Sequence, residues 1–500
     1  MLGSRRRVLS AALGVALLSG CGSTLTAGSA ANQPQSSLGT DLVGVQPTTA
    51  PLTPGSTSSI GGQLPGVPSA STPQPGDAGQ PPIDGSGNAS ATSQASTSRP
   101  PIVVGVLETN NDGAAAAGVN NGNTFTPRNA FDAMAKAWNS RGGLAGRKVT
   151  LVYAEIKSSS TSLQSDLQAA CTKFTQDNHV ALVFVAAGIY FESFTQCLAK
   201  AKIPVISTDY ALGDTKAMDA TPDYYAPTTI TTNERMRLLL QRMHSAGLLT
   251  SKDKLGFFIE GCPYNSRTFT DTAVPTAKAL GLTVTDSFTS RCFQGFNDLA
   301  GMSSDAVNAS LRFKSRGVTH VFFISGGIEG DVVLVFLTGA RSQNYFPKYG
   351  ITSVAAPTIQ ESNTPKDELQ NAIGLGWLPS LDTTRPTPVP AGQKACLKDL
   401  RTAAGLAPAG PADRFTAFSI CDVFTVANGA LQATSGSAAP EALKVAIHGL
   451  PSTLSLAAPL EGRVDFAGSR RTGPSRGRLF AWSKACGCFD YTGSSFSLTN

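Results

Sequence analysis

Charge is scarce in this chain. Asp, Glu, Lys and Arg make up 15 % of its 500 residues, against about 25 % in ordinary globular proteins. That is too little for a coiled coil, whose apolar seam is flanked by charge. Glycine and proline are abundant, at 50 and 31 residues, but glycine follows no three-residue period, which excludes collagen. There are four histidines, His179, His244, His320 and His448. Each stands alone, and none is spaced with a cysteine as a zinc ligand pair, so surface or hydrogen-bonded structural roles fit them and no metal is expected. No Gly-x-Ser-x-Gly elbow, His-Glu-x-x-His pair or Walker A loop occurs, which argues against an enzyme. Gly374 and Gly376 precede Trp377, Leu378 and Pro379, a context that fits neither nucleotide fingerprint, so no cofactor is expected. Net charge is +6, but Arg5, Arg6 and Arg7 supply half of it and the first twenty residues hold no acid. The remainder is too weakly basic to neutralise a phosphate backbone, which argues against a nucleic-acid partner. Beyond the N-terminus there is no run of the ~18 apolar residues that a membrane span requires.

What is present begins with an address. Arg5–Arg7 precede an apolar run from Val8 to Leu18, then Ser19, Gly20 and Cys21. A basic segment, a short apolar segment and small residues describe a secretory signal over residues 1–20. Leu18-Ser19-Gly20-Cys21 resembles the bacterial lipobox, in which the cysteine thiol forms a thioether to diacylglycerol. That implies a lipid anchor on Cys21 and a place on the extracytoplasmic face of the cell membrane. Ser4 to Leu9 also resembles a twin-arginine export motif. From Gly22 to Ser98 the chain has no aromatic residue, and its charges are Asp41, Asp77 and Asp84. Such a segment buries too little apolar surface to offset its ordering entropy. Residues 21–100 are therefore read as an anchored, disordered linker, spanning roughly 50 Å r.m.s. as a flexible coil.

Residues 101–500 alternate strand and helix. Ile102 to Leu107 is a continuous apolar run, as in a strand buried on both faces. Thr126-Pro127 is an N-cap followed by proline at the first helical position. Phe131, Met134, Ala135 and Trp138 then share one helical face, and Gly142-Gly143 ends it. Strands follow at 149–153, 181–185 and 203–207, with helices near 163–174 and 191–200. The pattern restarts with a strand at 254–259, a helix over 266–280, a strand near 282–285, a helix near 304–314 and a strand at 318–325. Alternation of this kind implies parallel sheets covered on both faces, and two series imply two Rossmann-like α/β lobes. The boundaries are set at 101–226 plus about 357–455 for the first lobe, and 227–356 plus about 456–500 for the second.

These segments carry a resemblance. Gly142-Gly143-Leu144-Ala145-Gly146-Arg147-Lys148-Val149 resembles the Gly-Gly-Ile-x-Gly-Arg-Lys-Val motif of type I periplasmic binding proteins, in the leucine/isoleucine/valine-binding branch of ABC importer receptors. Lys202 to Ser207, Leu255 through Tyr264 to Leu282, and Val318 to Ser325 with Gly326-Gly327 resemble later strands of that family in order and spacing. Two segments depart from it: Glu108-Thr109-Asn110-Asn111 after the first strand, and Ala187-Gly188-Ile189-Tyr190 after the third. The resemblance implies a monomeric receptor that closes on a small solute, an amino acid or similar polar molecule, and passes it to ABC permease subunits without chemistry. A sensory module of the same fold is the alternative, and an envelope enzyme is less favoured.

In open α/β sheets ligands bind at the carboxyl ends of strands. The candidate ligand residues are therefore Ala187, Gly188 and Tyr190; Thr208, Asp209 and Tyr210; Tyr264; and Gly327, Glu329 and Asp331. Gly188 and Gly327 would let backbone amides approach a ligand carboxylate. By resemblance an acid beyond Gly326-Gly327 takes a ligand ammonium, and spacing leaves Glu329 and Asp331 equal. The competing role for Asp209 and Asp331 is helix capping. The tyrosines stack on the ligand or line the hinge side. Past Cys21 the cysteines are Cys171, Cys197, Cys262, Cys292, Cys396, Cys421, Cys486 and Cys488, an even set that reads as disulfides in an exported chain. Sequence order pairs Cys171 with Cys197 and Cys262 with Cys292; the last four allow three connectivities. Redox chemistry at Cys486-Gly487-Cys488 is the competing reading, disfavoured because a catalytic dithiol usually opens a helix.

Overall fold

Val104, Val106 and Leu107 have no exposed surface, and the strand that carries them, β1 (Ile102–Asn110), lies inside a five-stranded parallel sheet. The computed structural model describes residues 99–110, 124–186, 188, 190–295 and 298–499. The leader, Cys21, the linker and Ala187 lie outside them. The first sheet has the order β2 (Val149–Lys157), β1, β3 (Leu182–Ala186), β4 (Val205–Ser207), β5 (Tyr224–Tyr225). Strand β4 is shorter than the expected 203–207, because Pro204 has no amide to enter a ladder.

The second sheet has seven strands in the order β12 (Cys488–Ser497), β11 (Arg476–Ser483), β10 (Ala372–Gly376), β9 (Lys348–Thr352), β8 (His320–Ile324), β6 (Lys254–Glu260), β7 (Thr283–Ser290). Its first five members in space after β11, from β10 to β7, pair parallel; β11 pairs antiparallel with both β10 and β12. The return to the first lobe was expected at about 357. It comes later, because β10 hydrogen-bonds β9 and β11 inside the second sheet. Helices Ala391–Ala404 and Pro411–Ala433 then pack back on helix Pro127–Ser140 of the first lobe. Gly374 and Gly376 have a packing explanation. A methyl group on Gly374 would fall 2.1 Å from the Phe480 ring, and one on Gly376 would fall 2.4 Å from the Asp382 carboxylate.

Among the described residues no helix is long and apolar enough to cross a membrane. Thr126 caps the first helix as expected, and with Asn129 it forms a capping box. The helix expected near 304–314 starts earlier, at Asp298, and the one expected over 266–280 starts at Pro263 and includes a wider turn at Phe269–Ala273.

The eight cysteines pair as Cys171–Cys197, Cys262–Cys292, Cys396–Cys421 and Cys486–Cys488. The last joins neighbours across an exposed hairpin turn in place of a dithiol. In the chain-entropy picture each loop of about 26–30 residues contributes roughly 3–4 kcal/mol, and the three-residue ring about half of that. Non-reducing peptide mapping should recover these four pairs. Graded reduction followed by alkylation should label Cys486 and Cys488 first, since Cys486 is the one exposed cysteine among the eight.

Three of the buried carboxyls outside the cleft are pushed strongly upward. Glu368 accepts from the Tyr349 hydroxyl at 2.5 Å, and Asp382 from the Tyr491 hydroxyl at 2.7 Å. Asp422 accepts from the amides of Ala457 and Ala458 at 2.6 and 2.9 Å. Burial pushes each up to about 7. The folded chain then holds protons that the unfolded chain releases near pH 4. The stability tied to these groups is full below about pH 4 and is lost as pH rises through 7. The urea midpoint should fall between pH 5 and pH 8, and by less in the Asp382→Asn variant.

Candidate functional site

The carboxyl ends of β3 and β4 in one lobe face those of β6 and β8 in the other. Residues just past these ends line the cleft between them. The two sides touch: the Tyr190 ring meets Tyr264 edge-on with centroids 6.2 Å apart, and Arg267 donates to both oxygens of Asp214 at 2.7 and 2.8 Å. Asp214 is also the N-cap of helix Thr215–Asp219, so this clasp is fixed to the backbone of the first lobe.

On the first lobe the polar groups satisfy one another. The Gly188 amide donates to Asp209 Oδ1 at 2.8 Å, and the Tyr224 hydroxyl donates to Asp209 Oδ2 at 3.0 Å. This corrects the expectation that the Gly188 amide is open to a ligand carboxylate. Asp209 caps no helix, and each of its oxygens already accepts a hydrogen bond within the first lobe. Gly188 has φ +74, a left-handed value that glycine adopts without strain. Thr208 extends the ladder, its amide donating to Val185 at 2.7 Å. Tyr190 is buried, with edge contacts to Tyr224 and Tyr264 and its hydroxyl on Ala217 O at 3.3 Å, so it packs between the lobes. Tyr210 is half-buried, edge-on to Phe415 at 5.4 Å.

On the second lobe Glu260, which the sequence reading passed over, organises the strand ends. It accepts from Ser325 Oγ at 2.8 Å, the Gly326 amide at 3.1 Å, Asn265 Nδ2 at 3.1 Å and the Phe293 amide at 3.2 Å. Burial still raises its pKa, against those four donors. Tyr264 lies close against Gly326, where a methyl group would fall 2.2 Å from its ring. Gly327 follows, buried, and leads into helix Glu329–Ser342.

The two candidate acids of that helix are not equivalent. Glu329 is buried; its Oε1 accepts from Thr352 at 2.8 Å, and its Oε2 lies 3.2 Å from Nη1 of Arg235. Arg235 is a second residue missed in the sequence, where it reads as one more charge on helix Thr232–Ser245. It too is buried, and its Nη2 donates to Ser325 O at 2.6 Å. Asp331 has no hydrogen bond or ion pair among the described residues, and burial alone pushes its carboxyl up to about 6. It does not cap the helix. Its charge acts on the Tyr210 phenol, which burial in turn pushes upward, so it lies near the first lobe. The one triad of metal-ligand types close together among the described residues is Glu260, Cys262 and Cys292, and both sulfurs are spent in one disulfide.

A family model described as periplasmic binding protein matches residues 101–486. No curated protein matches the chain significantly in sequence. Among solved structures, the chain is similar to a solute-binding protein of an ABC transporter from R. palustris in complex with 4-hydroxybenzoate. That match has 17 % identity, a TM-score of 0.58, and covers 79 % of this chain and 96 % of that one. It is similar to a branched chain amino acid ABC transporter from Thermus thermophilus with bound valine, at 15 % identity and TM-score 0.58, covering 80 % and 97 %. It is also similar to an ABC transporter substrate-binding protein from Desulfitobacterium hafniense in complex with Leu, at 15 % identity and TM-score 0.52, covering 79 % and 100 %. At these identities the likeness is one of fold.

The close seat of Tyr264 on Gly326 gives a direct test of the second-lobe wall. Gly326→Ala should force the ring away and destabilise the fold by about 1–3 kcal/mol, as overpacking does. Urea unfolding measures it, and a loss below ~0.5 kcal/mol would show that the ring yields freely.

Proposed function

The chain belongs to the periplasmic binding protein family, and from that premise we propose that it captures a small solute in its cleft and presents it to the permease of an ABC importer. The observation that carries this reading is Asp331, a half-buried carboxyl in the first turn of the helix after β8, near Tyr210 of the first lobe, with no hydrogen bond or ion pair among the described residues. Carboxylates in such places are normally paired, so a ligand cation is the natural complement. Glu329 already has Arg235 and Thr352, which favours Asp331 as the contact for an ammonium. Tyr210, Tyr264 and the backbone at Gly327 supply walls. The solute class is an amino acid or similar small polar molecule.

No covalent step is required. Binding free energy shifts an equilibrium between open and closed lobes, and the permease reads the closed form. The four disulfides suit an oxidising compartment. Cys21 and the polar linker suit a folded module tethered to the outer face of the membrane as a monomer.

Calorimetry with an amine-bearing solute such as L-leucine or L-valine tests the site. Losing a charge-assisted hydrogen bond removes ~1.5–3 kcal/mol, so Asp331→Asn should weaken binding by roughly 10- to 150-fold. The carboxylate must be ionised to hold an ammonium. Affinity should therefore be full well above pH 6 and decline as pH falls through 6, by up to about tenfold per pH unit. Asp331→Asn should flatten that profile. An unchanged affinity in this variant would assign the cation to another group.

A further inference from the structure

Three of the four disulfides have an evident structural task. Cys171–Cys197 joins helix Leu163–Thr172 to helix Glu192–Lys200, and Cys396–Cys421 joins helix Ala391–Ala404 to helix Pro411–Ala433. Cys262–Cys292 ties the chain just past β6 to the chain just past β7. Cys486–Cys488 differs, because it bridges residues two apart within the turn between β11 and β12. That turn is closed by other means. The Gly487 amide donates to Ser483 O at 2.9 Å, and the ladder pairs Ser483 with Cys488, Trp482 with Phe489 and Ala481 with Asp490. Phe489 fixes the returning strand. It is buried, its amide donates to Glu361 Oε1 at 2.7 Å, its carbonyl accepts from Thr383 Oγ1 at 2.8 Å, and its ring meets Phe480 and Trp482 edge-on. The shorter the loop a crosslink closes, the less it constrains the unfolded chain. Stability therefore gives this bond less reason to exist than it gives the other three.

The two sulfurs stand in different surroundings. Cys486 is the one exposed cysteine of the eight, whereas Cys488 is buried at the start of β12. The turn between them is open. Apart from the two cysteines, nothing lies within 4 Å of where a methyl group on Gly487 would sit. An incoming thiolate meets Cys486, and the sulfur it displaces, Cys488, is kept in place by its strand. Once reduced, the Cys486 thiol has acceptors at hand in Cys488 O at 3.6 Å and Ser483 O at 3.8 Å. A helix start, which activates a catalytic thiol, is not needed here, because the partner brings the nucleophile and this chain supplies the disulfide it attacks.

We propose that Cys486–Cys488 is a thiol-exchange site, at which the thiols of a partner are oxidised while the fold is retained. A partner thiolate attacks Cys486 Sγ and forms a mixed disulfide. The Cys486–Cys488 bond breaks, and Cys488 leaves with the electron pair and takes up the proton the partner lost. A second partner thiolate then attacks the partner's sulfur in the mixed disulfide, forming the partner disulfide and releasing Cys486, which is protonated in turn. Two partner thiols are oxidised and one protein disulfide is reduced; a partner disulfide drives the same steps in reverse. The proposal is independent of the solute-binding reading.

The test incubates the folded, oxidised chain with reduced glutathione, or with reduced, unfolded ribonuclease A as a protein thiol. Alkylation and peptide mapping follow the chain's cysteines, and disulfide formation in the thiol partner is measured in parallel. Cys486 and Cys488 should open at least about tenfold faster than the other six cysteines, with one partner disulfide formed per chain and the circular dichroism spectrum unchanged. Oxidised glutathione should modify Cys486 in the Cys488→Ser variant, and leave Cys488 largely unmodified in Cys486→Ser. The Cys486→Ser/Cys488→Ser variant should fold, with a smaller drop in thermal midpoint than Cys396→Ser/Cys421→Ser. Reaction with glutathione alone assigns a small thiol as the partner, and reaction with ribonuclease assigns a protein thiol. Reaction with neither, opening only together with unfolding, glutathione found on Cys488 in place of Cys486, or a Cys486→Ser/Cys488→Ser variant that fails to fold or loses as much as the other pair, overturns the proposal.

Discussion

The indole of Trp377 holds the crossings of this molecule together. Its side chain has no exposed surface and sits at the end of β10. Its Nε1 donates to Thr228 O at 3.1 Å, on the first crossing between the lobes. Its amide donates to Ser353 Oγ at 2.8 Å, and its carbonyl accepts from Leu460 at 2.8 Å, on the last crossing. One residue therefore ties three separated stretches of chain. Ala226 adds a second tie, pairing with Arg471 and Gly473 through its own backbone at 2.8 Å each. These hydrogen bonds gather the connections between the lobes into one place.

The cleft itself is a problem in burying carboxylates. Asp209, Glu260 and Glu329 each bury a carboxyl whose ionised form is costly out of water unless hydrogen bonds replace the lost solvent. Asp209 is met by an amide and a phenol, Glu260 by two amides and two side chains, and Glu329 by a hydroxyl and a guanidinium. These are structural uses of residue types that look like ligand contacts. Asp331 is the carboxyl that this internal matching leaves over.

Much of the architecture was readable along the chain. Continuous apolar runs such as Ile102–Leu107, the Thr126-Pro127 cap and the restart at Lys254 fix strand and helix type, because burial on both faces and helix entry are local demands on side chains. The same runs imply two parallel sheets and place the candidate site at their ends. The even cysteine set, with the local pairs Cys171–Cys197 and Cys262–Cys292, was also legible, since chain proximity favours short loops.

Other assignments depend on contacts between residues far apart in sequence, which carry no local signal. The late return of the chain after β10 is decided by sheet pairing, and the partners of the last four cysteines by where their helices and strands come to rest. Which acid after Gly327 is available is decided by Arg235, nearly a hundred positions earlier, whose side chain reaches Glu329 and leaves Asp331 alone. That Gly188 and Asp209 satisfy each other depends on β3 and β4 lying side by side. Residue type sets which groups can ionise or donate; only the packed structure decides which of them are already matched and which still lack a partner.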